Sequence, residues 1–140
     1  MSNRTLAIIK PDAVGNGYTG KIIDRIISEG FKIKAARLIH LSREQTESFY
    51  AIHRGRPFYN DLVDFMTSGP CMPMVLEHED AVNAFRELIG ATNPAEATDG
   101  TIRKDFAENV QNNAVHGSDS DENAQKEIAF FYSTDQILHN

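Results

Sequence analysis

Four short runs rich in apolar residues, at positions 5–10, 31–35, 71–76 and 128–132, are separated by stretches whose apolar residues recur at helical spacing. That alternation restricts the chain to a sheet with helices packed on it. Residues 5–10 (Thr-Leu-Ala-Ile-Ile-Lys) are largely apolar up to Pro11 and read as a buried strand with Lys10 at its exit. Residues 31–35 alternate apolar with polar and the run continues to His40, so the second strand has one wet face. Pro73 pushes the third strand toward a sheet edge or a bulge, because proline has no ladder N–H. Residues 128–132 supply the fourth strand and residues 133–140 a tail.

The helices are marked by their stripes and caps. Ile22, Ile23, Ile26 and Ile27 form one stripe, with Thr19 as cap and Gly30 at the C′ position. Ser42 and Gln45 match a capping box that starts a helix running to about Ala51. Leu62, Val63, Phe65 and Met66 mark a short helix stopped by Gly69-Pro70. Ala81, Val82, Phe85, Leu88 and Ile89 mark another, with Arg86 off the stripe, and residues 120–127 make the last. Residues 12–17 read as a loop. Between 91 and 112 only 101–107 looks briefly helical, and so long an irregular segment in a compact chain is usually functional or disordered. The order suggests an α+β fold: a ferredoxin-like β-α-β-β-α-β core, its antiparallel four-stranded sheet carrying helices, with a long active-site loop. A doubly wound sheet is the alternative, but Pro11-Asp-Ala-Val is not its glycine-rich phosphate loop. The 140 residues suit a single domain, 1–140.

A formal net charge of −6 argues against binding nucleic acid through a broad basic surface. One cysteine, Cys71, cannot form an intramolecular disulfide, and no apolar run approaches a membrane span or a signal peptide. The expectation is a cytoplasmic protein with no membrane partner.

Chemistry concentrates in Asn113-Ala-Val-His116-Gly-Ser118-Asp119-Ser120, which places an imidazole, a glycine, two hydroxyls and a carboxylate just before a predicted helix. Glycine after histidine lets the backbone approach a ligand, and a helix N-terminus attracts anions. The same letters also fit an ordinary turn and cap, with His116 structural. A neutral imidazole is a ready nucleophile if a partner fixes its tautomer, and Glu127 in the following helix is a candidate. Asp119 is a candidate magnesium ligand, directly or through water. Lys10, Arg86 and Arg103, if they converge on His116, would hold phosphate oxygens, the arginines bidentately. Each alone also reads as a solvated charge. Phe58 and Val110 could sandwich a nucleobase, with Leu62 one turn beyond Phe58. Core packing is the alternative for each. Zinc spacings are missing.

Taken together, the segments Thr5-Leu-Ala-Ile-Ile-Lys10-Pro-Asp-Ala-Val, Arg56-Pro-Phe58-Tyr, Met66-Thr-Ser-Gly-Pro70, Gly90-Ala-Thr92-Asn-Pro94, Gly100-Thr-Ile-Arg103 and Asn113 to Ser120 resemble the nucleoside diphosphate kinase family over nearly the whole chain. The resemblance implies transfer of the γ-phosphoryl group of a nucleoside triphosphate, usually ATP, to a nucleoside diphosphate by a ping-pong mechanism. His116 would be phosphorylated on Nδ1, with Glu127 and Ser118 orienting it from behind. Lys10, Tyr50, Phe58, Leu62, Arg86, Thr92, Arg103, Val110 and Asn113 would bind the nucleotide, Phe58 by stacking on the base. Lys10 and Asn113 would hold the sugar and nearby phosphate, and Arg86, Thr92 and Arg103 the phosphates. Mg2+ would accompany the nucleotide, and the chain would form a homo-oligomer built from dimers. Asp99 stands where relatives often have a proline, which leaves tetramer or hexamer open. A catalytically silent module of the same fold is the alternative function. An RNA-binding module of this fold would need the aromatic-glycine signature and basic charge that the chain lacks.

Overall fold

A computed structural model of the chain describes residues 2–139. The end of the expected tail, position 140, lies outside the described residues. In chain order the elements are β1 (Ser2–Ile9), α1 (Pro11–Gly15), α2 (Thr19–Ser28), β2 (Lys32–Ala36), α3 (Arg43–Phe49), α4 (Tyr59–Met66), β3 (Met72–Glu79), α5 (Ala81–Ile89), α6 (Ile102–Phe106), β4 (Val115–Gly117) and α7 (Asp121–Phe131). The strands form one antiparallel sheet in the order β2-β3-β1-β4. This is the expected ferredoxin-like core, with α3 and α4 inserted before β3 and the α6 segment before β4.

Both faces of β1 are covered, which is why its sequence is continuously apolar. Successive side chains of a strand point to opposite faces. Ala7 and Ile9 join Ile22, Ile26, Phe85 and Ile89 in one core, while Leu6 and Ile8 join Val63, Met66, Phe131 and Tyr132 in the other. The capping box at Ser42 and Gln45 forms as expected, with Gln45 N donating to Ser42 Oγ at 3.1 Å and Ser42 N to Gln45 Oε1 at 3.0 Å. Gly30 ends α2 with φ 91°, a conformation glycine adopts without a Cβ clash.

Several expectations are corrected. The fourth strand is Val115–Gly117, and residues 128–131 belong instead to α7. Ala124, Ile128 and Phe131 sit at helical spacing and are turned inward, so the helix begun at the Ser120 cap has a buried stripe to follow. Pro73 lies in β3, an inner strand, not at an edge. It is tolerated because its N points the same way as that of Cys71, whose N–H and C=O pair with Ile39, and the β2 ladder is interrupted between that bridge and the Ala36–Met74 pair. The carbonyl of Pro73 accepts from Tyr132 Oη at 2.6 Å instead. Thr19 is the first residue of α2, not its cap; β2 stops at Ala36, short of His40; and Pro11–Gly15 is a short helix, not a loop. No helix among the described residues is long and apolar enough to cross a membrane.

Candidate active site

His116 sits in the middle of β4, opposite Ile8 of β1. Its Nε2 lies 2.8 Å from Glu127 Oε1, and the same oxygen accepts from Ser118 Oγ at 2.7 Å. Ser118 is itself anchored, its Oγ accepting from Leu6 N at 3.2 Å. A carboxylate only accepts, so the proton is on Nε2 and the Nδ1 lone pair makes no hydrogen bond among the described residues. The edge of the Phe49 ring meets the imidazole at 5.8 Å between centroids. Gly117 serves packing, not the ligand approach expected of it: a Cβ there would lie 2.9 Å from Phe85 Cδ2 and 3.2 Å from Ile89 Cδ1. Helix α5 thus presses directly on the backbone that carries His116.

The three expected cations gather beside this strand. Arg103, in α6, is buried and donates from Nη1 to Gly90 O at 3.0 Å and from Nη2 to Val115 O at 2.9 Å. It is therefore braced by two carbonyls, so part of the fork expected to face phosphate is already committed, and its buried Nε has no hydrogen-bond partner among the described residues. Lys10 is 8% exposed and donates from Nζ to Asn113 Oδ1 at 2.9 Å. Burial and the nearby Arg103 guanidinium hold its amine down to about 8, with Asp12 opposing. Arg103 in turn is pushed down to about 10 by burial and by Arg86, which is itself exposed on α5. None of the three forms an ion pair among the described residues. Three clustered positive charges, with only the Asp12 carboxylate acting on Lys10 to offset them, cost free energy that a polyanion would relieve.

The backbone before His116 is bent sharply. Ala114 is fully buried with φ 73°, and Val115 N donates back to Asn113 O at 2.8 Å. A γ-turn of this hand is strained for a residue with a Cβ. Lys10 N donates to Ala114 O at 2.8 Å, and Asp12 Oδ2 accepts from Ala114 N at 3.1 Å. Sequence reading missed Asp12, whose only signal was its place in the Lys-Pro-Asp segment. Phe49 was missed too, since it reads as one more helix residue.

The other expected residues are placed as follows. Asn113 donates from Nδ2 to Thr92 O at 3.5 Å, so Thr92, Asn113 and Lys10 are linked. Tyr50 is buried, its hydroxyl without a hydrogen-bond partner among the described residues and shifted upward by burial. Phe58, at the start of α4, is 47% exposed and Val110 54%, which leaves both free to meet a ligand. Leu62 is half-buried against the core under α4. Asp119 is exposed and accepts from Asn123 Nδ2 at 2.6 Å, while Ser120 caps α7. The anion-binding helix end expected after the motif is thus already capped by Ser120, and the cations come from β1's exit, α5 and α6.

The family model described as nucleoside diphosphate kinase matches residues 3–137. A nucleoside diphosphate kinase of Sulfurimonas denitrificans is 62% identical over 134 residues, covering 96% of this chain and 98% of that protein. One of Halorhodospira halophila is 59% identical over 134 residues, with 96% and 95% covered. Among solved structures, the Aquifex aeolicus nucleoside diphosphate kinase superposes with a TM-score of 0.96 at 47% identity, covering 99% of this chain and 100% of that one. That of Halobacterium salinarum in complex with CDP gives 0.96 at 36% identity, with 100% and 93% covered.

Proposed function

The chain belongs to the nucleoside diphosphate kinase family and transfers the γ-phosphoryl group of a nucleoside triphosphate to a nucleoside diphosphate, and on that premise we propose that His116 carries the group between them. The supporting observation is an imidazole tied down at Nε2 and open at Nδ1, beside three cations of which none forms an ion pair among the described residues and only Lys10 has a carboxylate, Asp12, acting on it from nearby.

The Nδ1 lone pair attacks the γ-phosphorus of the bound triphosphate. The new N–P bond forms as the bridge to the β-phosphate breaks, and the diphosphate leaves with the electron pair. Phosphorylation at Nδ1 with the proton kept on Nε2 leaves the ring positively charged, and the Glu127 carboxylate stabilises that charge while Ser118 keeps it aimed. A diphosphate oxygen then attacks phosphorus and the N–P bond breaks. One site serves both halves, hence ping-pong kinetics. The transition state is loose, so positioning and electrostatic stabilisation dominate. Arg86, Arg103 and Thr92 meet the phosphates, Lys10 and Asn113 the sugar and nearest phosphate, and Tyr50 lines the pocket. Phe58, with Leu62 and Val110, stacks on the base without reading its edge, which makes the site tolerant among bases.

Magnesium would enter with the nucleotide and would supply positive charge beside its phosphates. The donor set fits a metal held mainly by the substrate: no three His, Cys, Asp or Glu side chains gather among the described residues, and Asp119 offers one exposed carboxylate with Oδ1 engaged by Asn123. The working form on this reading is a cytoplasmic homo-oligomer built from dimers.

Incubation with γ-labelled ATP is expected to leave acid-labile, base-stable label on the protein, and added GDP, CDP or UDP should remove it. Absence of label, or label that no diphosphate removes, would overturn the reading. A second outcome concerns pH. With its amine near 8, Lys10 is cationic below that value and loses its charge above it. The KM for ATP is therefore expected to be flat up to about pH 7 and to rise through pH 8–9 at fixed ionic strength. In Lys10→Gln the KM should start about tenfold higher and show no such rise. A parallel rise in both proteins would assign it to another group.

A further inference from the structure

We infer that Asp12 is a positioning residue for phosphotransfer, holding the strained Ala114 turn that sets Asn113 and His116 in register. The inference rests on the proposed role of His116. The turn has two clamps, and both come from the segment that follows β1. Lys10 N–H fixes the Ala114 carbonyl, and the Asp12 carboxylate fixes the Ala114 N–H at 3.1 Å. Ala114 is fully buried, so without Asp12 its N–H would have no partner and no water. A residue with a Cβ leaves φ 73° for negative φ once that bond is gone. Such a change rotates the peptide planes on either side. Upstream it moves Asn113, which holds Lys10 Nζ at 2.9 Å; downstream it moves Val115, whose carbonyl braces Arg103 at 2.9 Å, and then His116. One carboxylate therefore fixes the relative placement of the nucleophile and two cations without touching substrate.

Asp12 is half-buried with its other oxygen, Oδ1, without a hydrogen-bond partner among the described residues, and burial pushes its carboxyl upward while the Ala114 and Ala13 N–H groups and Lys10 oppose this. The Ala114 N–H is the largest of the contacts that offset this burial, so the half-buried carboxylate is better explained by the turn it holds than by the five-residue helix α1 it stands in.

The test separates a hydrogen bond that positions from one that merely stabilises. The rate at which ATP phosphorylates His116 is measured in single turnovers, at a temperature below the melting point of every variant. Asp12→Ala is expected to slow it about 10²-fold, the scale of an ångström-sized misplacement. Asp12→Asn keeps an oxygen that accepts from Ala114 N–H and should stay within about fivefold of wild type. Glycine adopts positive φ freely, so adding Ala114→Gly to Asp12→Ala should restore at least tenfold of the loss. A general stabilising role predicts a lower melting temperature with no such rescue. The inference is overturned if Asp12→Ala reacts at the wild-type rate, if asparagine is as slow as alanine, or if the double variant is no faster than Asp12→Ala. Wild-type protein that takes no label at all overturns the His116 reading itself.

Discussion

His116→Ala is expected to turn over at least about 10⁴-fold more slowly than wild type, the scale on which removing a covalent nucleophile acts. The reason is structural as much as chemical. No other side chain of β4 offers a nucleophile, since Val115 is buried and apolar and Gly117 has no side chain, and the next residue, Ser118, spends its hydroxyl on Glu127 and Leu6. The cations and Phe58 remain in place, so nucleotide binding, read by titration with a fluorescent ADP analogue, should weaken less than fivefold. Turnover within tenfold of wild type would show that the phosphoryl group does not pass through residue 116. Loss of binding together with turnover would instead point to a collapsed pocket, and the near-native melting temperature expected for this half-buried position checks that.

The largest effect on stability is expected at Gly90, which ends α5 with φ 87°. A Cβ there would lie 2.7 Å from both Cβ and Oγ1 of Thr101. Two costs add: about 1–2 kcal/mol for a side chain in this conformation and about 1–3 kcal/mol for the overlap. Gly90→Ala should therefore lose about 3 kcal/mol, or roughly 10 °C in melting temperature for a chain of this size. Thr101 caps α6 by accepting from Lys104 N, and α6 carries Arg103, whose Nη1 rests on the Gly90 carbonyl at 3.0 Å. Activity should fall along with stability. Gly100→Ala is the comparison: φ is 89° but nothing lies within 4 Å of its Cβ, so only the first cost applies. Equal losses in the two variants would refute the packing argument.

The residues proposed to carry the chemistry were legible because their types and order are unusual. A histidine next to glycine and serines, a lysine before Pro11, Arg86 off its helix stripe and Arg103 closing Gly100-Thr-Ile-Arg103 mark the region in the sequence. Local rules also found the Ser42 box and the Gly30 helix end. They failed where a longer-range contact decides. Residues 128–131 have apolar and aromatic letters that suit a strand, but the helix begun at Ser120 continues through them because its inward stripe meets the sheet. Three residues of β4 are too few to show a period, so the strand bearing His116 was invisible. Pro73 suggested an edge, and only the gap in the β2 ladder shows how an inner strand accommodates it.

By itself, the sequence determined the family, the ferredoxin-like class and the set of side chains proposed for phosphotransfer, since composition, spacing and motif order are properties of one dimension. The tertiary structure decided which nitrogen of His116 is open, that Arg103 is braced by carbonyls, and that Asp12 reaches Ala114 from over a hundred positions away. Those choices depend on directions of hydrogen bonds between distant segments. Directions of that kind are fixed only when β1, β4 and α7 pack together and exclude water.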